Sequence, residues 1–97
     1  MNRSLILTPA AEQEFEEAAT WYEQVAELGE EFVEQVQQAL NRIEQSPELP
    51  AILYRNIRRV RVAQFPYCVY YRVLADHIEV TAVFHNKRNP KIWQSRA

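Results

Sequence analysis

Glycine is almost missing from this chain: Gly29 is the only one in 97 residues. A loop that cradles phosphates needs close backbone approach at several glycines, so the sequence argues against a nucleotide-binding fold. Cysteine is just as scarce. Cys68 stands alone, which excludes an intramolecular disulfide and a cysteine-rich metal site and points to a reducing compartment, most simply the cytoplasm. No apolar run approaches the ~20 residues of a membrane span, and Ser4 to Leu7 is too short for a secretory signal, so no membrane partner is expected. The two histidines, His77 and His85, lie far from the glutamates Glu12, Glu16 and Glu23, so neither a metal nor a cofactor is expected.

What the chain does have is charge sorted by position. Met1 to Pro50 carries eleven carboxylates against Arg3 and Arg42, a net −9. Ala51 to Ala97 carries nine cations against Asp76 and Glu79, a net +7. The overall −2 conceals this split. A half rich in arginine can offer an acidic or phosphate-bearing partner a focused positive field. Apolar content of 47% beside 25% charged residues excludes a disordered chain, and the length suits a single domain over residues 1–97.

Ser4-Leu5-Ile6-Leu7 reads as a first strand buried on both faces, stopped by Thr8-Pro9. Thr8 suits a helix N-cap with Pro9 at the first helical position. Ala11, Phe15, Ala18, Tyr22 and Val25 then recur as one helical stripe. Gly29 fits a helix C′ position with positive φ. A second helix follows, burying Phe32, Val33, Val36, Ala39, Leu40 and Ile43, and Ser46-Pro47 closes it. So short a turn makes the two helices antiparallel neighbours with their acid facing outward.

After Pro50 the period changes from 3.6 to 2. Val60 and Val62 point one way, Arg59, Arg61 and Ala63 the other. Tyr67, Val69, Tyr71 and Val73 oppose Cys68, Tyr70, Arg72 and Leu74. Ala75 to His77 form a hairpin loop. In the last strand, Ile78, Val80, Ala82 and Phe84 oppose Glu79, Thr81, Val83 and His85. The order β-α-α-β-β-β predicts an α+β domain: an N-terminal strand, an antiparallel helical hairpin, then a three-stranded antiparallel meander, with the hairpin on one sheet face.

Arg59 and Arg61, two residues apart on one strand, project together onto the face the helices leave free. Each guanidinium forks two hydrogen bonds onto a phosphate or carboxylate. Lys87 and Arg88, just past the last strand, are placed to converge on that surface; the plainer alternative is four solvated cations. His85, at the strand end near them, is a candidate acid or base, or else a histidine bonded to its own loop. Tyr70 offers stacking or phosphate contact, or simple packing. Trp93 on the basic tail either anchors the C-terminus or meets a partner, and Arg72 is a further partner-binding candidate.

The segments Ala11-x3-Phe15-x2-Ala18-x2-Trp21-Tyr22, Leu28-Gly29-x2-Phe32, Ile57-Arg58-Arg59-x-Arg61-Val62, Phe65-Pro66-Tyr67-x-Val69-Tyr70-Tyr71-Arg72-Val73 and Val83-Phe84-His85-x2-Arg88-x-Pro90-x2-Trp93 together resemble the RelE/ParE superfamily of toxins from type II toxin–antitoxin modules. The resemblance covers nearly the whole chain. It implies a small bacterial growth inhibitor of plasmid-stabilisation type, held inactive by a cognate antitoxin protein. RelE-like members cleave mRNA on the ribosome without a metal, the ribose 2′-OH attacking the adjacent phosphate. ParE-like members bind DNA gyrase and are not nucleases. Carried over, the paired basic residues of the second strand fall on Arg59 and Arg61, and the basic residue after the last strand on Lys87 or Arg88. The third-strand arginine of the nucleases falls on Cys68, and their C-terminal tyrosine on Trp93. Losing a phosphate clamp or an acid/base typically costs ~10² or more in rate. The expectation is therefore a ParE-like, non-nuclease toxin; the alternatives are a metal-independent, ribosome-dependent endoribonuclease and a non-toxic interaction protein of the same fold. Whether the chain is an enzyme stays open at this point.

Overall fold

The boundary at Thr8 and Pro9 is set by local chemistry. In the computed structural model, which describes residues 3–97, Thr8 is extended and its Oγ1 accepts from the Ala11 N–H at 3.2 Å. Pro9 opens the helix where its missing donor is harmless. Strand β1 (Ser4–Leu7) thus gives way to helix α1 (Pro9–Ala26), and α2 (Gly29–Gln45) follows almost at once. Strands β2 (Arg58–Arg61), β3 (Tyr67–Val73) and β4 (His77–His85) form the antiparallel meander. β1 joins β4 in parallel, so the sheet order is β1-β4-β3-β2. The α+β arrangement is the one expected; a short C-terminal helix, α3 (Lys91–Gln94), is added to it.

Several local expectations are corrected. Gly29 does not take the left-handed cap of α1. Glu27 does, at φ 57°, and the N–H groups of Glu27 and Leu28 reach the carbonyls of Glu23 and Tyr22. Gly29 instead opens α2 at a close approach, where a Cβ would lie 2.9 Å from the Glu23 side chain. Val25 and Val33, expected in the core, are exposed because each lies at the solvent margin of its helix's apolar face. β1 is not buried on both faces: it is an outer strand with the hairpin on one side only, so Ser4 and Ile6 are exposed.

The hairpin side of the sheet holds the larger core, built on Phe32, Val36, Ile43, Val69, Tyr71 and Val80. Rings from Tyr22, Phe32, Phe65 and Tyr67 interlock there at centroid distances of 4.8–6.1 Å. Val60 and Val62 of β2 face it as expected.

The opposite face is not bare. Ile57, Cys68, Tyr70, Ala82, Phe84 and Trp93 form a second core there, and Trp93 of α3 stacks on Tyr70 at 4.4 Å. Burying a ring of that size stabilises by roughly 3 kcal/mol, so the tail belongs to the fold. Strict alternation along β4 also fails. Tyr70 pairs with Ala82 but Tyr71 with Val80, leaving Thr81 as the extra residue of a β-bulge. Ile78 and Val80 therefore face the hairpin, while Ala82 and Phe84 face Trp93.

Candidate functional site

β2 is the outer strand on the side away from β1, and its ladder fixes where its arginines go. The Val62 N–H donates to the Tyr67 carbonyl at 2.9 Å. Because an antiparallel ladder alternates, the facing pairs Arg61–Cys68 and Arg59–Tyr70 are of the non-hydrogen-bonded kind, whose side chains sit closest. Arg59 and Arg61 thus rise together on the face opposite the hairpin. Both are exposed, and among the described residues neither guanidinium has an ion-pair partner.

Their neighbours are apolar or buried. Cys68 is 2% exposed, and burial pushes its thiol pKa up against the opposing pull of Arg59 and Arg61. Tyr70 is 3% exposed; burial raises its hydroxyl pKa, and Arg59 beside it pulls the other way. Phe84 pairs with Cys68 one strand further on, and the Arg88 guanidinium lies over its ring at 4.5 Å. Arg61, Cys68 and Phe84 therefore form one row across the sheet, with Arg88 two strand spacings, or about 10 Å, from Arg61. Three guanidiniums frame an apolar floor.

The other candidates are placed differently. His85 pairs with Tyr67 and packs edge-on against its ring at 5.2 Å, on the α1 side of the sheet. It shares a small crevice with Glu17, Trp21, Tyr67 and Arg88 but does not meet Arg59 or Arg61, because odd positions after the Thr81 bulge face the hairpin. Its Nδ1 accepts the Lys87 N–H at 3.0 Å, so the ring is tied to its own loop, and Lys87 extends into solvent. Arg72 is paired across the sheet with Glu79 at 2.7 Å. Trp93 is 5% exposed and spends its face on Tyr70. Among the described residues no group of three or more His, Cys, Asp or Glu converges as a metal site.

Three sets of side-chain contacts escaped the sequence reading. Arg58, adjacent to Arg59, turns to the other side and donates to the carbonyls of Glu48 at 3.0 Å and Pro50 at 2.6 Å. Arg42 of α2 donates to the Arg61 carbonyl at 2.8 Å and covers the outer edge of β2. Glu14 and Arg96 pair at 3.0 Å. The first follows from strand alternation applied one residue earlier. For the other two, contacts 19 and 82 residues apart leave no local sequence signal.

The surface suits an anionic group held without charge competition, since among the described residues its cations have no ion-pair partner and its floor is apolar. Among the described residues the buried Tyr70 hydroxyl lies beside Arg59, while His85 and Glu17 line a crevice with Arg88.

Comparison with known proteins agrees with this fold. Residues 5–90 match the family described as ParE toxin of type II toxin-antitoxin system, parDE. The chain is 32% identical over 95 residues to Toxin ParE2 of Mycobacterium tuberculosis, in strains CDC 1551 / Oshkosh and H37Rv, covering 93% of this chain and 88% of that protein. Its fold is similar to that of the chromosomal ParDE TA system from P. aeruginosa, with a TM-score of 0.64 and 16% identity over 86% of this chain and 95% of the other. It is also similar to the YoeB dimer from Staphylococcus aureus, with a TM-score of 0.58 and 18% identity over 88% of this chain and 99% of the other.

Proposed function

This chain belongs to the ParE family of type II toxin–antitoxin toxins, within the RelE/ParE superfamily, and from that premise we propose that it stops growth by binding a target protein, DNA gyrase, rather than by cutting RNA. The observation that carries this reading is the separation of His85 from Arg59 and Arg61 by the thickness of the sheet. In-line attack by a 2′-OH needs a proton acceptor and charge stabilisation at one phosphate. Here Arg59 and Arg61 stand on one side and the imidazole on the other, with Arg88 beside it. Cys68 and Trp93, at the positions where the nuclease pattern has arginine and tyrosine, are both buried. Arg59, Arg61 and Arg88 suit recognition of an acidic protein surface, where bidentate pairing gives specificity without chemistry.

The experiment is a pair of assays with purified protein. Supercoiling by gyrase should be blocked at micromolar toxin, and mRNA on programmed ribosomes should stay intact. Unaffected gyrase would reject the target. A-site cuts that vanish in Arg59→Ala or Arg61→Ala would establish the nuclease reading instead, which has one observation in its favour: the Tyr70 hydroxyl beside Arg59. Normal growth on expression would favour a non-toxic interaction protein.

The partner that restrains the toxin is a cognate antitoxin, supported by the ParDE assignment of the similar P. aeruginosa structure. Its contact is the arginine face, which suits an acidic segment that orders on binding. Co-expression with the neighbouring gene should relieve arrest, and a purification that recovers no small partner would count against it.

A further inference from the structure

The acidic half of the chain has a surface feature of its own. Val33 is 37% exposed. With Phe15 and Ala19 it floors a trough of about 610 Å³ between the hairpin and the edge of β1 at Ile6 and Leu7, rimmed by Glu12 and Glu16. Ala19 and Val33 also line the next hollow along the hairpin, where Glu23, Glu27, Glu30 and Glu34 stand. The two hollows are therefore one trough running from the β1 edge to the hairpin turn. None of its rim carboxylates has an ion-pair partner among the described residues; Glu23 alone accepts a hydrogen bond, from the Gly29 N–H at 3.1 Å.

Exposed apolar floor and unpaired anionic rim together specify the occupant. An acidic segment or an anionic membrane is repelled by six carboxylates within a half-chain of net −9. A cationic segment with one apolar face satisfies both parts, the face covering the floor and its Lys or Arg reaching the rim. The groove between two antiparallel helices guides a third, at the usual 8–10 Å interaxial distance. We infer that this trough seats a cationic amphipathic helix of a partner protein, apolar side on Phe15, Ala19 and Val33 and basic side chains on the glutamate rim. This seat lies on the opposite side of the molecule from Arg59 and Arg61 and is independent of what the arginine face binds.

The test uses the full chain, labelled with ¹⁵N, titrated with a peptide of Leu and Lys at helical spacing, matching the 18 residues of α1. Amide shifts centred on Ala19 and Val33 are expected, with little change at Arg59 and Arg61. Val33→Gln should weaken binding about tenfold, and Glu16→Lys with Glu34→Lys by at least as much. All three residues are exposed, so the unperturbed spectrum reports that the fold is kept. The charge-reversed variant should in turn bind a Leu/Glu peptide of the same spacing. A scrambled Leu/Lys peptide binding equally tightly would overturn the inference, because charge alone would then suffice. So would shifts centred on the arginine face, or concentration-dependent shifts of the trough in free protein, which would make a second copy the occupant.

Discussion

Glu14 in α1 and Arg96 at the C-terminus, 82 residues apart, form a two-pronged ion pair with both contacts at 3.0 Å. The pair covers the stretch of β4 that β1 is too short to reach. Glu14 Oε1 accepts the Val83 N–H at 3.1 Å, and Arg96 donates to the Thr81 carbonyl at 3.0 Å. Beyond the last bond from β1, where the Thr8 N–H meets the Val80 carbonyl, the strand edge is thus finished by side chains. Either single substitution, Glu14→Gln or Arg96→Gln, leaves a half-buried charge without its partner and should cost about 2–3 kcal/mol in urea unfolding. Amide exchange at Val83 should accelerate in Glu14→Gln before the rest of β4 does. Equal stability in both variants would show that the edge needs no such cover.

A second prediction concerns the tail. Trp93 stacks on Tyr70 at 4.4 Å and closes the core in which Cys68 is buried. Trp93→Ala removes the largest ring of that core and should destabilise by about 3–5 kcal/mol. In the parent chain the thiol should react slowly with a disulfide reagent at pH 7, because burial both blocks access and holds it protonated. In Trp93→Ala the reaction should speed up by an order of magnitude or more, as measured under conditions where circular dichroism shows the variant folded. An unchanged rate would mean that α3 does not shield Cys68.

The helices, the meander and the facing of Arg59 and Arg61 were legible because each rests on a local pattern. Thr8-Pro9 caps α1 by itself, and Val60 and Val62 alternate with Arg59 and Arg61 without help from elsewhere. The misreadings arose where distant chain decides. The Thr81 bulge shifts the face of every later residue in β4, yet nothing in Ile78 to His85 announces it. The sequence leaves His85 open between the arginine cluster and its own loop, and the loop bond is the one present. Gly29 looked like a left-handed cap because glycine is the usual choice there; Glu27 took that role, and the single glycine was needed for clearance from Glu23. Trp93 reads equally well as an anchor or a partner contact because stacking and recognition use the same ring.

Alkaline pH should weaken the fold. Burial raises the pKa values of Tyr22, Tyr67, Tyr70 and Tyr71 above the ordinary 10.0, and that of Cys68 above 9.0. The unfolded chain then loses these protons first, so it binds fewer protons than the native state and stability falls as pH rises. The loss begins near pH 9 with Cys68, steepens near 10, and continues up to the raised native values. The urea midpoint should be flat from pH 7 to 8.5 and drop clearly by pH 10.5. Tyr71→Phe, which also loses the hydrogen bond to the Pro47 carbonyl at 2.7 Å, should be about 1 kcal/mol less stable at pH 7 but show a shallower decline. A midpoint unchanged to pH 11 would contradict the burial of these hydroxyls.

Three arginines in one strand separate folding from function. Arg58 pins the loop after α2 through the Glu48 and Pro50 carbonyls, whereas among the described residues neither Arg59 nor Arg61 has an ion-pair partner. Arg58→Ala should therefore lower stability by about 1–3 kcal/mol, since two charge-assisted bonds are lost. Arg59→Ala and Arg61→Ala should shift it by no more than about 0.5 kcal/mol, as exposed substitutions do. Growth arrest should follow the opposite order: the double variant Arg59→Ala/Arg61→Ala should lose it, while Arg58→Ala retains it at a temperature where it is folded. Urea unfolding and induced expression on plates read the two properties separately. A double variant that stays toxic at parental levels would remove the arginine face from the mechanism, because no fold defect would be available to explain the result.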